Sequence, residues 1–558
     1  MRKTILLLIA GLFLLVGVSI KAENNLRERI YLQTDKTLYL AGELLWMKLF
    51  TTDEEGKPLD LSKVAYIEIL DETTAQVQVK LEIDQGVGEG WLSLPVTLPT
   101  GNYRLVAYTR YMQNEGEEIF FSKVIPVVNT FTTDGITEVL SDAIVSSPFK
   151  ANSNGQIILN TDKSTYSPRS VAEIQLKNIP EDIFTLSVSV AGRETQYSTM
   201  DILQWDNLRK NAKDTKFAGN MVAEYEGHIL SARMIDLETG EPVRNIRSVP
   251  LLAFPGKEIR LFEGQSQEDA SVLFFTKHIS GMHEIVTATL PRADEKCRVD
   301  IVSPFVDWSP KKLPALQLDP TRNDEFLERS VGLQILHAYM ADSLSQIARA
   351  EIFFRWEPDR KYLLDEYTRF STMEEMFIEF IPALRFRKIN NKRVLSVMTE
   401  DNTGYAIGNS LILLDGIPIT DHEFIYKYNP YLLKEVEVYK GRYVLGEQMF
   451  NGIAFLKSYN TNYPELTLDG TTQFFDYEGT QPHRFFYVPS YNTNEQKESR
   501  TPDYRHTLFW NPFVQVNESS SLNIPFTTSD IKGEFVVTVE GITDTGQIIY
   551  ETSLIKVE

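Results

Sequence analysis

The chain has 558 residues, of which 42 % are hydrophobic, 11 % are aromatic and 24 % are charged. Because a domain usually spans about 100 to 150 residues, a chain of this length is expected to fold as several domains. Its 77 acidic residues exceed its 56 lysines and arginines, which gives a net charge of -21. That charge would repel a phosphate backbone, so nucleic acid is not expected as a partner.

The N-terminus carries the features of a secretory signal peptide. Arg2 and Lys3 precede a run from Ile5 to Ile20 that is almost wholly apolar. This run is shorter than the ~20 residues that span a bilayer as a helix, which favours a cleaved signal over residues 1–22 rather than a retained anchor.

Cysteine usage and hydropathy indicate where the mature chain works. Cys297 is the single cysteine, so no intramolecular disulfide can form, and no cysteine follows the signal as a lipid anchor would require. No later apolar run reaches about 18 residues, so no integral membrane segment is expected after cleavage. Together these features predict an exported protein of a bacterial envelope, either in the periplasm or associated with the outer membrane.

Residues 23–130 read as an antiparallel β-sandwich. In the segment AQVQVKLEID at 75–84, apolar and polar residues alternate without exception, which is the period of a half-buried strand. The opening IYLQTDKTLYLAGE resembles the start of a macroglobulin-type domain of the alpha-2-macroglobulin family. The residues that carry this resemblance are Tyr31, Gln33, Thr34, Asp35, Lys36, Tyr39, Gly42 and Glu43.

The motif T-D-K-x-x-Y of this opening occurs twice. It runs from Thr34 to Tyr39 and again from Thr161 to Tyr166, 127 residues later. A repeat at this distance predicts a second macroglobulin-like sandwich over residues 147–218. We interpret the Asp and Lys of the motif as a device of the turn and sheet edge rather than as a chemical site.

The middle of the chain is predicted to contain a third sandwich, a linker and a helix. Residues 221–305 alternate and turn at ETG, and they resemble a carboxypeptidase-regulatory-type sandwich, an accessory fold that implies no peptidase activity. Residues 306–360 begin with a proline-rich linker and continue as a helix near 326–344. In this helix, apolar side chains recur every fourth residue, at Leu327, Val331, Ile335 and Tyr339.

The stretch 411–456 holds the densest set of turn and strand signals. The apolar strand LILLDGIPI is interrupted by Asp-Gly with Pro just beyond, a composition that favours a turn. EVEVYKG at 435–441 then alternates acidic and apolar residues, as a half-buried strand does. The turn positions, which we expect to be structural or to serve in docking, are Asp415, Gly416, Pro418, Gly441, Gly446 and Gly452.

Residues 361–460 resemble the plug domain of TonB-dependent outer-membrane receptors. Upstream of the strands, Ser371 and Glu374 fit a capping box for an amphipathic helix that ends at Pro382. A receptor plug is followed by a barrel whose strands take about 9 to 11 residues each, plus loops. Only 98 of the 558 residues follow position 460 here. The resemblance therefore implies a small α+β docking unit, and transport by this chain alone is not expected.

Residues 470–558 are predicted to form a C-terminal macroglobulin/Ig-like sandwich. The segment RTPDYRHTLFWNPFVQV resembles the macroglobulin domain that precedes the thioester domain in that family. The reactive GCGEQ-type sequence is absent, and Cys297 lies in EKCRVD, so covalent trapping of proteases is not expected.

A search for chemistry finds no catalytic, cofactor or metal motif. None of the seven histidines forms HExxH, and the odd spacing of His278 and His283 would place them on opposite faces of a strand. The acid-rich turns at 53–56 and 544–546 are interpreted as solvated hairpins rather than calcium loops.

These observations predict a mainly β chain of tandem antiparallel sandwiches with a small α+β unit. We expect no enzymatic activity and no cofactor. The expected role is protein–protein interaction in the envelope, with an envelope or outer-membrane protein as partner, as a scaffold or accessory of a TonB-linked transport system. The alternatives are a protease-binding defence protein without a thioester and a peptide or glycan hydrolase.

Overall fold

The computed structural model describes residues 26–558 except 133–150, 213–214, 244–247, 268, 270, 278, 291–295, 320–321, 341–356, 390, 407–409, 461–469 and 517–519. The predicted signal peptide and His278 lie outside these residues. The described part is mainly β, with strands in eight sheets and a few short helices, which confirms the predicted fold class. Within it, no helix combines the length and the apolar character needed to cross a bilayer.

The first sandwich packs a three-stranded sheet, in the order β1-β3-β6, against a five-stranded sheet, β2-β8-β7-β4-β5. Between them lies a core of aliphatic and aromatic side chains. The alternation that predicted β5 is real, because Gln76 and Gln78 are exposed while Val79 is buried. The strands are β1 Arg29–Thr34, β2 Tyr39–Leu40, β3 Leu44–Thr52, β4 Val64–Leu70, β5 Ala75–Glu82, β6 Val87–Ser93, β7 Gly101–Thr109 and β8 Phe121–Val128.

The second sandwich is assembled from two distant parts of the chain. Its sheets have the orders β10-β31-β30-β12-β28 and β29-β11-β9. Four strands come from the first part: β9 Ile158–Thr161, β10 Thr165–Tyr166, β11 Val171–Lys177 and β12 Ile183–Gly192. The other four come from the C-terminal part: β28 Thr507–Asn511, β29 Ser521–Thr527, β30 Gly533–Thr543 and β31 Ile548–Val557.

This pairing corrects the expectation of separate sandwiches at 147–218 and 470–558, since the two stretches are halves of one. The strands β9 to β12 place only two members in each sheet. Their buried side chains find partners on the late strands, and Val188 is in register with Val539 across the β12–β30 pair. Burial of these side chains in a common core is the physical reason for the union.

The third sandwich is closed in the same way. Its sheets are β16-β17-β13-β19 and β15-β14-β18-β27, and β27 comes from beyond the predicted boundary at 305. Ile285 of β18 is in register with Phe475 of β27. The strands are β13 Ile229–Asp236, β14 Val249–Ala253, β15 Leu261–Glu263, β16 Gln265–Ser266, β17 Ser271–Phe275, β18 Met282–Leu290, β19 Cys297–Ile301 and β27 Gln473–Glu478.

Between β19 and β27 the chain inserts an α+β unit, here called the inserted unit (residues 360–458). Its five-stranded sheet has the order β20-β25-β26-β23-β24, and a hairpin of β21 and β22 stands beside it. In the sequence, the unit is inserted between two strands of the third sandwich, and the third sandwich is itself inserted between strands of the second. Its strands are β20 Arg360–Leu363, β21 Leu384–Ile389, β22 Lys392–Val397, β23 Leu411–Leu414, β24 Ile417–Pro418, β25 Leu433–Leu445 and β26 Gln448–Ser458.

Five α-helices complete the described part: α1 Ile202–Lys210, α2 Asn323–Met340, α3 Met373–Glu379, α4 His422–Lys427 and α5 Asn494–Lys497. Helix α3 is the amphipathic helix predicted in the inserted unit, but its N-cap is Thr372 and not Ser371. The Thr372 hydroxyl accepts the backbone N–H of Glu375 at 3.2 Å. The cap therefore lies one residue later than predicted.

The predicted linker is not a free spacer, because it lies along the first sandwich. The backbone N–H of Lys311 in this linker donates a hydrogen bond of 2.8 Å to the backbone carbonyl of Glu72. Helix α2 follows, and Phe326 and Arg329 on it are buried against the same sandwich. The predicted every-fourth positions Leu327 and Val331 lie on the exposed side of the helix instead.

Candidate functional site

The repeated T-D-K-x-x-Y motif forms the same turn twice. In the first copy, Asp35 Oδ1 accepts the Tyr39 hydroxyl at 2.9 Å and the Trp46 backbone N–H at 3.1 Å. In the second copy, Asp162 Oδ1 accepts the Tyr166 hydroxyl at 2.6 Å, and it also accepts a backbone N–H of β11 at 2.8 Å. The motif therefore fastens a turn to the neighbouring strand, which is the role predicted from sequence.

Asp415 and Gly416 connect the inserted unit to the third sandwich. The Asp415 carboxylate accepts the backbone N–H and the hydroxyl of Ser458 at 2.7 and 2.6 Å. Its backbone carbonyl accepts the N–H of Gly256, which belongs to the third sandwich, at 2.8 Å. Gly416 has a φ of +87°, and a Cβ there would lie 3.1 Å from the carbonyl oxygen of Phe254. This turn is therefore an internal docking contact.

Gly446 makes a second contact of the same kind. A Cβ on Gly446 would lie 2.4 Å from Oε2 of Glu263, a residue of β15. The same carboxylate oxygen accepts the backbone N–H of Glu447 at 2.9 Å. The turn between β25 and β26 is thus held at the edge of the third sandwich.

The remaining predicted turn positions lie within the inserted unit. A Cβ on Gly452 would lie 2.6 Å from Cβ of Val397 in β22, and one on Gly441 would lie 2.4 Å from the Glu400 carboxylate. Pro418 is buried in β24, where it is in register with Leu413. The six positions therefore do not converge on one site.

A groove of about 1380 Å³ lies between the inserted unit and the third sandwich. One wall is the face of β23, β25 and β26 opposite to the helices of the inserted unit. The other wall is formed by residues 257–262 with Lys277 and Ile279. Because ligand and partner sites are usually concave, we take this groove as the candidate functional site.

One end of the groove is apolar. Tyr439, Phe450 and Phe455 form a cluster on the wall of the inserted unit, and Ile259 and Leu261 pack against it. The three rings are themselves buried, so the apolar surface that a partner could reach at this end comes from the partly buried Ile259, Leu261, Tyr443 and Leu445.

The other end carries a network of four charges. Lys457 Nζ lies 3.1 Å from Glu435 and 2.8 Å from Glu437, and Lys361 Nζ lies 3.0 Å from Glu435. Burial alone would raise the pKa of Glu435, but its hydrogen bonds with Glu437, Lys361 and Lys457 outweigh burial and lower that pKa to about 2. Both glutamates are therefore held in place beneath the groove rather than spread into solvent.

The groove differs in charge from the rest of the chain. Six of its lining residues are Lys or Arg and five are Asp or Glu, although the whole chain carries -21. Within the described residues, Lys257, Arg260 and Lys434 have no carboxylate oxygen within 4 Å. Three cationic side chains at the groove thus remain available to an acidic partner segment.

No pattern in the sequence indicated the groove. Its walls come from stretches about 150 residues apart, and no periodicity links Ile259 to Phe455. The one available signal was the pair of glutamates in EVEV, at positions 435 and 437. In a strand with one solvated face they fit ordinary surface residues, yet both are buried.

The residues considered for chemistry remain scattered. Cys297 is fully buried in the core of the third sandwich. His228 is buried as well, and its ring Nδ1 contacts the Tyr477 hydroxyl, while His506 Nδ1 lies 2.5 Å from Glu194. Burial lowers the pKa of His228 well below its usual value. In the described part of the chain, no three His, Cys, Asp or Glu residues are grouped as metal ligands would be.

Among solved structures, the chain is similar to alpha-2-macroglobulin of Escherichia coli activated by porcine elastase. That alignment has 8% identity and a TM-score of 0.24, and it covers 95% of this chain and 44% of the other. The alignment with Salmonella alpha-2-macroglobulin reacted with methylamine has 10% identity and a TM-score of 0.24, and it covers 95% of this chain and 39% of the other. The alignment with dimeric latent PorU from Porphyromonas gingivalis has 12% identity and a TM-score of 0.16, and it covers 49% of this chain and 33% of the other.

This chain spans less than half the length of these alpha-2-macroglobulins. TM-scores this low do not define a shared fold over the whole chain. No curated protein shows a significant match. Residues 29–122 match the MG2 domain family, and this range coincides with the first sandwich. The first sandwich is therefore a macroglobulin-type MG2 domain, and the chain is macroglobulin-like in that part.

Proposed function

We propose that this chain is a non-enzymatic interaction protein of the bacterial envelope, and that its groove receives an extended segment of a partner protein. The observation that carries the proposal is the groove itself. An apolar end lined by Ile259, Leu261, Tyr443 and Leu445 adjoins lysine and arginine side chains that have no carboxylate partner among the described residues. An extended segment with apolar side chains at one end and acidic ones at the other is complementary to it.

The proposed partner is an envelope or outer-membrane protein. The resemblance of residues 361–460 to a receptor plug supports a role as scaffold or accessory of a TonB-linked transport system. The signal-like N-terminus supports export to the periplasm, with or without association to the outer membrane. Docking of the inserted unit through Gly416 and Gly446 to the third sandwich holds the two walls of the groove in place.

Site-specific photocrosslinking in the native host tests this proposal. Val444 lines the groove and is 70% exposed, so a photoreactive residue there should yield one discrete adduct in envelope fractions. Val171, 46% exposed on the second sandwich, is the matched control position and should yield none. Replacing Lys257 and Lys434 together by Glu should reduce the Val444 adduct. Equal adducts at both positions, or none at Val444, would refute the groove as a docking site.

The MG2 match favours one second candidate, a protease-binding protein without a thioester. In that case, incubation with an active protease should produce a complex that survives gel filtration. If the chain is only degraded, the protease-binding candidate fails, and the groove proposal is unaffected.

A further inference from the structure

A second cavity, separate from the groove, lies where three parts of the chain meet. Its volume is about 250 Å³. The first sandwich contributes Trp46 and Glu89, and the second contributes residues 509–512. The third contribution is the segment 481–491, which follows β27 and is here called the crossing segment.

Five of the eleven residues that line the cavity are aromatic. Trp46 and Trp91 are in register across β3 and β6, so their side chains lie on the same face of the sheet. Phe486 packs edge-on against Trp46, with ring centroids 5.5 Å apart. Phe485 is 60% exposed at the cavity, so its ring is open to a ligand.

The crossing segment is fixed to the edge of the first sandwich. The side chain of Gln481 accepts the backbone N–H of Trp91 at 2.8 Å and donates to its carbonyl at 2.7 Å. The guanidinium of Arg484 stacks on the Trp91 ring at 3.8 Å from its centroid. These contacts hold the crossing segment against the first sandwich.

Two buried donors at this place lack acceptors. Arg484 Nε and Trp91 Nε1 have no hydrogen-bond partner among the described residues. An unsatisfied buried donor is costly, so a ligand with acceptor oxygens gains by binding here. Glu89, near His483 at 3.5 Å, and the Asn511 side chain supply acceptors on the opposite side.

Charge selects among the ligand classes. The lining carries one charge of each sign, Arg484 and Glu89, so an ion of either sign is attracted by one and repelled by the other. A neutral polyol is repelled by neither and can bond to both, because hydroxyl groups both donate and accept. The apolar C–H face of a pyranose ring also fits against an aromatic face, whose π-system is negative.

We propose that this cavity binds one neutral pyranose unit of a glycan, with the exposed Phe485 ring as the stacking surface and Arg484 as a donor to a ring hydroxyl. The cavity volume suits a single sugar ring rather than a longer chain. Neighbouring sugar units would extend past the exposed Phe485.

Titration of the full mature chain with neutral oligosaccharides tests the proposal, and the probes are chitotetraose, maltotetraose and cellotetraose. At least one should bind, by calorimetry and by a change in tryptophan fluorescence. Phe485→Ala should weaken that binding about tenfold or more. Tyr431→Ala, which removes a ring that is 53% exposed on the inserted unit, is the matched control and should leave it unchanged.

Arg484→Lys provides a second variant that keeps the charge but loses the Nε donor, and it should also weaken binding. Thermal unfolding verifies that each variant is folded. Three results would overturn the assignment: no binding of any of the three sugars, binding that Phe485→Ala leaves intact, or binding only of short lysine, glutamate or phenylalanine peptides.

Discussion

The hydroxyl of Tyr31, in the first strand, donates a hydrogen bond of 2.9 Å to the carboxylate of Glu540, 509 residues later in the chain. Both side chains are buried between the first and second sandwiches. Lys48 and Lys123 are buried in the same interface. Burial raises the pKa of Glu540 to about 7 and lowers the pKa of Lys48 to about 7. We therefore expect the stability of the contact between these two domains to depend on pH.

We expect Glu540 to make folding less favourable as pH rises. Its folded pKa of about 7 lies above the ordinary value of 4.5, so between these values the folded state retains a proton that the unfolded state releases. The free energy of unfolding therefore falls across this window. Glu540→Gln keeps an acceptor for Tyr31 and cannot ionise, so its decline should be smaller by about 1 to 3 kcal/mol.

Urea denaturation at several pH values from 4.5 to 8 measures this difference. Glu238→Gln, at an exposed position, is the control and should follow the parent protein. Identical pH profiles for Glu540→Gln and the parent would show that burial does not raise the pKa of the Glu540 carboxyl group.

Arg329 is expected to hold helix α2 on the first sandwich. Its guanidinium donates to both carboxylate oxygens of Glu43, at 2.7 and 2.6 Å, and both residues are buried. Arg329→Ala would leave Glu43 without this partner, and breaking a buried pair on one side costs about 3 to 5 kcal/mol. Limited proteolysis should then cut within 323–340, where the parent resists.

Two comparisons make the Arg329 test specific. Arg298→Ala removes an ion pair with Asp300 that is partly exposed, and it should cost little. Adding Glu43→Gln to Arg329→Ala should recover part of the loss, because it removes a buried carboxylate that would then have only Lys36, at 3.4 Å, as a charged partner. If Arg298→Ala and Arg329→Ala lower the stability equally little, the Arg329–Glu43 pair does not stabilise the fold.

Gly416→Val should loosen the inserted unit. The residue has a φ of +87°, which a β-branched side chain rarely adopts, and the added atoms would crowd Phe254. We expect a cost of about 1 to 3 kcal/mol and new proteolytic cuts within 361–460. Because β27 to β31 pair with strands that precede the unit, the nicked halves should stay together in gel filtration under native conditions.

A variant of Gly155, which has a φ of +76° but nothing within 4 Å, separates backbone strain from crowding. Gly155→Val should not expose 361–460 to protease. Uniform degradation of Gly416→Val would instead mean that the inserted unit does not fold as a separate unit.

Substituting the histidines and Cys297 one at a time tests the expectation that the chain is not an enzyme. Each variant should retain its partner adduct and any measured phenotype. Losses confined to stability, about 1 to 3 kcal/mol for buried His228 and Cys297, are compatible with a structural role. Loss of the phenotype at normal abundance in one folded variant would favour the hydrolase alternative.

Local patterns in the sequence predicted local structure well. Val436 and Val438 are fully buried in the core of the inserted unit, as their alternation with Glu435 indicated. The second T-D-K-x-x-Y motif predicted the start of a sandwich and a turn at its edge, where Asp162 Oδ1 accepts the Tyr166 hydroxyl. The late closure of the sandwiches left no such signal, because a strand carries the same alternation whichever strand it pairs with. The groove depends on that closure and was missed with it.

The nesting of the domains also imposes an order on folding. Strand β12 ends 315 residues before β28, its neighbour in the sheet, begins. Closing a flexible loop of that length costs about 5 kcal/mol of chain entropy, and the cost falls once the residues in between are compact. Of the three nested units, the inserted unit can therefore fold first during synthesis, and its compact form shortens the loop that the third sandwich must close. The folded third sandwich then shortens the loop that the second sandwich must close. The second sandwich, although it begins near residue 158, is complete only when the last strand has left the ribosome.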